Sequence, residues 1–301
     1  MTAKVILNPY SNRWNAQARW PQVEEALKKA GIEYEPVFSE HKGNIVELAE
    51  QAVHDGFSPL IIAGGDGSIG DLVNGLVRAA GLLGKPLGPI GLMPVGSAND
   101  LVHTLGIPTD LNEAAQVIAR GNTTKIDVCQ LNDRYFVNNS AIGLEPYVTT
   151  KQEKINWIKG IARYLVAAVQ AIMDKKEWQA KIEWDDGSYE GPISLASIGN
   201  GALTGGVFYM TPHADPFDGK LTFVYGYRPT RMGMFQALPR TMKQGEGSYV
   251  EMEGIHEIDC TFVNIRLEKP CPAHTDGELL PEWGQEYAYK IYPKRLNIIV
   301  P

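Results

Sequence analysis

Four short stretches combine residue types and spacings that could do chemistry. The first is Gly64-Gly65-Asp66-Gly67-Ser68-Ile69-Gly70. Its glycines let backbone N–H groups approach a ligand, and a helix beginning there aims its positive end at the same point, which is how a phosphate is usually held. Asp66 within such a turn repels an anion and so implies Mg²⁺ or an ordered water between carboxylate and phosphate. The second is Pro94-Val95-Gly96-Ser97-Ala98-Asn99-Asp100. Gly96 and Ser97 suit a second anion cradle, and Asp100, one turn into the following helix, faces the same cleft as Asp66, a carboxylate pair of the kind that marks a metal position. The third, Asp215-Pro216-Phe217-Asp218-Gly219-Lys220, offers two carboxylates to a hard cation, and the fourth, Asp276-Gly277-Glu278, puts two carboxylates on one face of an extended segment.

Each stretch also has a plainer reading. The first makes a tight strand-to-helix turn with an Asp cap, Ser97 and Asn99 are competent helix caps, and Asp-Gly is the commonest hairpin signal. Asp186-Gly187 is such a pair with nothing around it, so the acidic company of Asp218 and Asp276 is what separates them. Two familiar nucleotide motifs are disfavoured. Gly65-x-Gly67-x-x-Gly70 fits the dinucleotide fingerprint, but no Asp or Glu lies between Asp71 and Asp100, where that site needs its ribose ligand. Gly84-Lys85 lacks both the leading glycine and the Ser or Thr of a P-loop, since Ala79 and Pro86 stand there.

Strands and helices must bring these residues together. Residues 5–9, 32–38, 59–63 and 88–93 read as strands, alternating with helices over 16–30 and 45–54 and with the helix opened by the first glycine stretch. This alternation predicts a parallel α/β sheet, whose ligands gather beyond the carboxyl ends of the strands. Asn8, Ser39, Gly64 to Ser68 and the residues after Met93 all sit at such ends. After a helix over 112–120 the pattern turns to short strands, which suit a sandwich. The expected division is therefore an α/β nucleotide-binding domain over 1–124 and a β-rich domain over 125–301, the last strand able to pack back on the first domain. A single long helix is expected over 155–175, burying Ile155, Ile158, Ile161, Ala162, Leu165, Val169, Ile172 and Met173, and a strand over 249–252.

The chain has 301 residues, 44% of them hydrophobic and 21% charged, enough for two domains with separate cores. Its net charge of −7 excludes a global positive field for nucleic acid or anionic lipid, so such contact must be local. Lys151, Lys154, Lys159 and Arg163 around Trp157 form the best such patch, read either as a membrane-surface contact or as a solvated helix face. Three cysteines without a CxxC spacing suggest a reducing compartment and neither a disulfide framework nor a zinc site. The first residues lack the pattern of a secretion signal, and the longest apolar run is too short to span a bilayer, so a cytoplasmic protein is expected.

Taken in order, Asn8-Pro9-Tyr10-Ser11, Gly64-Gly65-Asp66-Gly67-Ser68, Asn74-Gly75, Pro94-x-Gly96-Ser97-Ala98-Asn99-Asp100, Leu105-Gly106-Ile107-Pro108, Asp218-Gly219-x-Leu221 and Asp276-Gly277-Glu278 resemble the landmarks of the diacylglycerol kinase catalytic family. The resemblance spans nearly the whole chain. It implies an α/β domain and a β-sandwich with the active site in the cleft between them, and transfer of the γ-phosphate of ATP to a lipid hydroxyl at a membrane surface. By motif match, Asn8, Ser39, Gly64, Gly65, Asp66, Gly67, Ser68, Ile69, Gly70, Gly96, Ser97 and Asn99 would hold ATP, and Asp276 would be the general base with Glu278 beside it. Asp66 and Asp100 would partner the catalytic Mg²⁺, and Asp215, Asp218 and the Lys220 carbonyl a structural cation.

Asn12 stands where the family has glycine, Ser68 and Ser97 stand for threonines, Gly70-Asp71 for Asn-Glu, and His103 for an arginine. Serine keeps the hydroxyl. Imidazole is only partly charged at neutral pH, so the last change implies lower activity or another acceptor. The GGDG element is shared with NAD kinases and phosphofructokinases, so an NAD or sugar kinase is one alternative, and a nucleotide- or lipid-binding regulator without turnover is another.

Overall fold

A computed structural model describes residues 2–12, 15–158 and 160–301, with the backbone alone for Ile161. The first half alternates β1 (Ala3–Leu7), α1 (Asn15–Lys29), β2 (Tyr34–Phe38), α2 (Asn44–His54), β3 (Leu60–Gly64), α3 (Asp66–Ala80), β4 (Leu87–Pro94), α4 (Asp100–Thr104) and α5 (Leu111–Arg120). All five residues of β3 are buried, as expected of a parallel strand covered on both faces. The last helix shows how local sequence sets its ends. Asp110 accepts the amides of Asn112 and Glu113, and Gly121 closes the helix in the left-handed conformation.

From Thr123 the pairing turns antiparallel. The second half contains β5 (Thr123–Leu131), β6 (Arg134–Phe136), β7 (Asn139–Gly143), α6 (Leu144–Glu153), α7 (Gly160–Asp174), β8 (Trp178–Trp184), β9 (Gly187–Ile193), β10 (Leu195–Gly199), β11 (Leu203–Thr204) and β12 (Phe208–Tyr209). It continues with β13 (Leu221–Gly226), α8 (Arg231–Ala237), β14 (Ile255–Cys260), β15 (Phe262–Cys271), β16 (Ala273–Thr275), β17 (Glu278–Leu279) and β18 (Gly284–Ile299).

One sheet runs in the order β2-β1-β3-β4-β18-β15-β8-β9, with β5 and β6 joined beside β18; a second runs β14-β13-β10-β7-β16-β17. The long β18 pairs β15 and β5 antiparallel and then β4 in parallel, so it stitches both halves into one sheet. Leu296, Ile298 and Ile299 at its end enter the first core, while Tyr287, Tyr289 and Ile291 enter the second core, between the two sheets. An α/β domain followed by a β-sandwich-like half is the expected fold class.

The helix expected over 155–175 is instead two. Backbone bonds from Lys154 and Ile155 to the carbonyls of Lys151 and Gln152 close α6, and Gly160 opens α7 at φ 65°. The buried face of α7 also differs from the expected one. Ala167, Ala168, Ala171 and Ile172 are buried, small residues that allow close packing, whereas Val169 and Met173 are exposed. The strand expected over 249–252 is a 3-10 turn, Tyr249–Glu251, anchored by a buried tyrosine whose hydroxyl donates to the Met210 carbonyl. Among the described residues no helix is long and apolar enough to cross a membrane.

Asn74 joins the two halves. Its Nδ2 donates to the carbonyls of Gly70 at 2.7 Å and Tyr135 at 2.8 Å, and its Oδ1 accepts the Tyr135 amide at 3.0 Å. Truncation leaves the Tyr135 backbone without either partner. Asn74→Ala should therefore cost about 2 kcal/mol in denaturant unfolding, and a loss below about 0.5 kcal/mol would show that water replaces the staple.

Candidate functional site

The turn after β3 and the turn after β4 lie against each other. A Cβ on Gly65 would meet the Gly96 Cα at 3.1 Å, so only glycines let the two loops approach this closely. Gly65 caps α3, and the amides of Ser68 and Ile69 bond back to its carbonyl. Behind the turn, Asn8 Nδ2 donates to Ser68 Oγ at 2.9 Å and Ser11 Oγ lies 3.2 Å from it. Ser97 is exposed and donates to Asn12 Oδ1 at 3.0 Å. Asn12 has φ 50°, a conformation asparagine tolerates, which explains why a glycine can stand in its place. Ser39 is buried at the end of β2, its amide on the Leu7 carbonyl.

Not every member of the expected nucleotide set is at the turn's surface. Ile69 is buried in the first core, so only its backbone can contribute. Asn99 is buried at φ 55°, and its amide group reaches the Gly96 carbonyl at 3.3 Å. It acts on the loop itself. Gly70 sits beneath Asp276, not in the cradle: a Cβ there would lie 2.8 Å from Asp276 Oδ2.

Asp276 comes from the hairpin between β16 and β17. Asp276 and Gly277 have φ 47° and 81°, two consecutive positive values of the kind a tight hairpin turn requires. The turn reading and the chemical reading thus hold for the same residues. The carboxylate accepts the amides of Val137 (3.1 Å), Asn138 (2.9 Å) and Asn139 (3.0 Å). Burial nevertheless pushes Asp276 up to about 7, because it outweighs those amides and the charge of Asp66 adds to it. Glu278 follows over the glycine turn, its Cγ within 2.7 Å of where a Gly67 Cβ would be, and its Oε2 pairs with Lys42 Nζ at 3.2 Å.

Asp66 does not cap its own helix. Its Oδ1 accepts the Leu101 amide at 3.0 Å, so it ties the first turn to α4, and burial raises its pKa. Asp100 is buried and accepts the amides of Gly205 and Gly206, both at 2.7 Å. Burial first, and then the Asp66 charge, push it up to about 7. Three carboxylates from three elements therefore repel one another in one cleft. His103 is exposed on α4, while backbone amides supply the bonds to both Asp66 and Asp100.

The third stretch is held by bonds of its own. Asp215 and Asp218 accept the amides of Phe217 and Lys220, at 3.0 and 2.8 Å, so each also stabilises its own turn. Asp127, absent from the sequence-derived set, joins them: it is buried and accepts the amides of Gly219 and Lys294 at 2.7 Å, and Asp218 is raised first by burial and then by the charges of Asp215, Asp259 and Asp127. Among the described residues no group of three or more His, Cys, Asp or Glu is arranged to hold a metal.

Two of the four basic residues of the patch are engaged within the two helices, and Lys154 is exposed. Lys151 pairs with Asp174 at 2.6 Å, Arg163 Nε donates to the Gln152 carbonyl at 2.7 Å, and Lys159 lies outside the described residues. The sequence reading also missed a cavity of about 70 Å³ under α6, α7 and α8, walled by side chains such as Val148, Ala168, Ile172, Met234 and Leu238.

Two family models match the chain. One, described as "Diacylglycerol kinase catalytic domain", covers residues 2–131, and the other, a "YegS C-terminal NAD kinase beta sandwich-like domain", covers residues 139–300. Proteins named diacylglycerol kinase from Staphylococcus aureus strains RF122 and JH9 are each 32% identical over 224 residues, 74% of this chain and 69% of theirs. A solved diacylglycerol kinase from Bacillus anthracis strain Sterne shares the fold with a TM-score of 0.73 at 18% identity, over 100% of this chain and 97% of that one. Another structure from the same strain has a TM-score of 0.80 at 20% identity with the same coverage.

Asp66, Asp71, Asp100, Asp127, Asp218 and Asp276 are all raised from the ordinary carboxylate value, each first by burial, Asp100 and Asp276 to about 7. Such a group binds its proton more tightly folded than unfolded. Its contribution is full below the unfolded value of about 3.9 and is lost as pH climbs to the folded value. The metal-free protein should accordingly melt at a lower temperature at about pH 7.5 than at about pH 5, and a divalent cation should narrow the difference. Calorimetry in chelator checks this; a melting temperature that rises over that interval contradicts it.

Proposed function

The chain belongs to the diacylglycerol kinase family, and from that premise we propose that it transfers the γ-phosphate of ATP to the hydroxyl of a lipid, with Mg²⁺ as the metal. The observation that carries this reading is Asp276, a buried carboxylate fixed by three amides of the second half and seated on α3 of the first. Phosphoryl transfer needs positioning and charge neutralisation more than covalent help. A glycine cradle, a carboxylate pair and a base facing one cleft are sufficient parts.

In this reading the amides of the Gly64-Gly65-Asp66-Gly67-Ser68 turn, with Gly96 and Ser97 opposite, receive the nucleotide phosphates at the positive end of α3. Asn8 backs the turn through Ser68, and Ser39, at the end of β2, is assigned to the nucleotide with it. Asp276 takes the acceptor hydroxyl's proton as the phosphoryl group arrives, and a value raised toward neutrality suits a base working near pH 7. Glu278, beside the turn, orients the base hairpin through its pair with Lys42.

The donor set fits Mg²⁺. Burial raises both Asp66 and Asp100, and the Asp66 charge raises Asp100 further; a hard cation relieves that repulsion, and Mg²⁺ is commonly held by one or two carboxylates together with substrate phosphates. When bound, it would neutralise charge on the phosphates. Asp215, Asp218 and the Lys220 carbonyl, with Asp127 behind them, would hold a separate structural cation.

A lipid acceptor, in preference to NAD or a sugar, is supported by the apolar cavity under α6, α7 and α8. At about 70 Å³ it is smaller than an acyl chain needs, so lipid entry requires α7 and α8 to part. Their outer faces carry Val169, Met173 and Met232, exposed by 44%, 53% and 67%, with Trp157 nearby in sequence at 73%. This apolar surface, together with the exposed Lys154, would meet the bilayer.

Asp276→Asn should lower phosphoryl transfer by at least about 100-fold while ATP binding stays close to wild type, because the residue acts on the acceptor. Labelled ATP with Mg²⁺ and a panel of lipids, NAD and sugars measures the transfer, and titration calorimetry measures binding. Turnover within a few fold of wild type would remove Asp276 as base, and labelling of NAD or a sugar alone would replace the lipid reading.

A further inference from the structure

The cavity has one feature that an acyl chain does not need. Among the described residues Glu145 is the only acidic side chain lining it, and it is buried, at 6% exposure. Its position follows from the sheet. Ser197 on β10, Ala141 on β7 and His274 on β16 are direct cross-strand neighbours, so their side chains form a row on one face. Ala196, Ile142 and Ala273 face the sandwich core on the other side. Because Ala141 is small, Glu145 from the first turn of α6 can lie across the row. Its Oε2 accepts Ser197 Oγ at 3.0 Å, and its Oε1 bonds His274 Nε2 at 2.9 Å.

A carboxylate has about four acceptor sites, and these two partners use half of them. Each oxygen has one partner, and each keeps room for a further donor from the cavity side. His274 is two residues before Asp276 in the same hairpin, so β16 leads from this carboxylate to the candidate base. Arg228, the other charged residue of the lining, donates through its Nη1 to the Glu253 carbonyl at 2.8 Å, while its Nε is buried without a hydrogen-bond partner among the described residues.

We propose that Glu145, set by Ser197 and His274, is the acceptor-recognition residue of this cavity. It accepts a hydrogen bond from a second donor, a hydroxyl or an ammonium, on a lipid alcohol whose reacting hydroxyl lies at Asp276. This rests on the lipid-kinase reading and narrows it. A diacylglycerol has the reacting hydroxyl as its one donor, whereas a monoacylglycerol has a second hydroxyl and a long-chain amino alcohol has an amine. A site built to bond a donor rejects the analogue lacking it far more strongly than a pocket rejects a missing methylene.

The test compares these three acceptors, matched in chain length, in detergent micelles with ATP and Mg²⁺. Wild type should show kcat/KM at least about tenfold higher for one donor-bearing acceptor than for diacylglycerol, and which one responds distinguishes hydroxyl from amine. Glu145→Leu should bring that ratio near one while KM for ATP stays within about twofold, a change of selectivity that general destabilisation does not produce. Glu145→Gln, which keeps the shape and one acceptor oxygen, should fall between and decides the matter where the leucine variant does not fold. Preference of wild type for diacylglycerol, or an unchanged ratio in a folded variant, overturns this inference alone. Bound ATP without transfer to any of the three overturns the lipid reading and this inference with it.

Discussion

The seat of Asp276 on helix α3 is the constraint on which the rest of the candidate site depends. The carboxylate belongs to the sandwich half, where the amides of Val137, Asn138 and Asn139 hold it, yet its Oδ2 occupies the space a side chain at residue 70 would fill. A base of one half is thereby registered against the helix that the glycine turn of the other half opens. Asn74, four residues along the same helix, fixes the adjoining Tyr135 backbone and holds that registry from the other side.

Electrostatic consequences follow from the packing. Bringing Asp66, Asp100 and Asp276 into one cleft costs stability, because burial and mutual repulsion disfavour their charged forms. The fold itself does not demand this: apolar side chains could fill the same space. The arrangement is the kind that functional sites retain at the expense of stability, and it prepares the cleft for a cation and for a base that works near neutral pH. Around its rim, Lys42 with Glu278 and Arg134 with Asp71 carry charge from both halves.

Much of this was legible in the sequence where the signal is local. Continuous apolar runs ending in glycine marked β3 and its turn, and the acidic surroundings of Asp276-Gly277 separated it from Asp186-Gly187, which only turns a hairpin. Signals carried by distant pairs were not legible. Asp127 meets Gly219 across 92 positions and Glu145 meets His274 across 129, and neither partner leaves a periodicity around itself. Gly70 satisfied a glycine spacing that phosphate binding and close helix docking produce equally well. The break between α6 and α7 was hidden for a related reason: the apolar period runs on through it, while the stop is set by backbone bonds and the positive φ of Gly160.

The most direct measurement of the central claim is made on Gly70→Ala, which adds one methyl group where the Asp276 carboxylate sits. ATP affinity and phosphoryl transfer are measured on the same folded sample. Displacement of the base from α3 predicts ATP binding within a few fold of wild type and transfer lowered by at least about 100-fold. Wild-type transfer by the alanine variant would contradict the account, since the docking of Asp276 on α3 would then have no part in the chemistry.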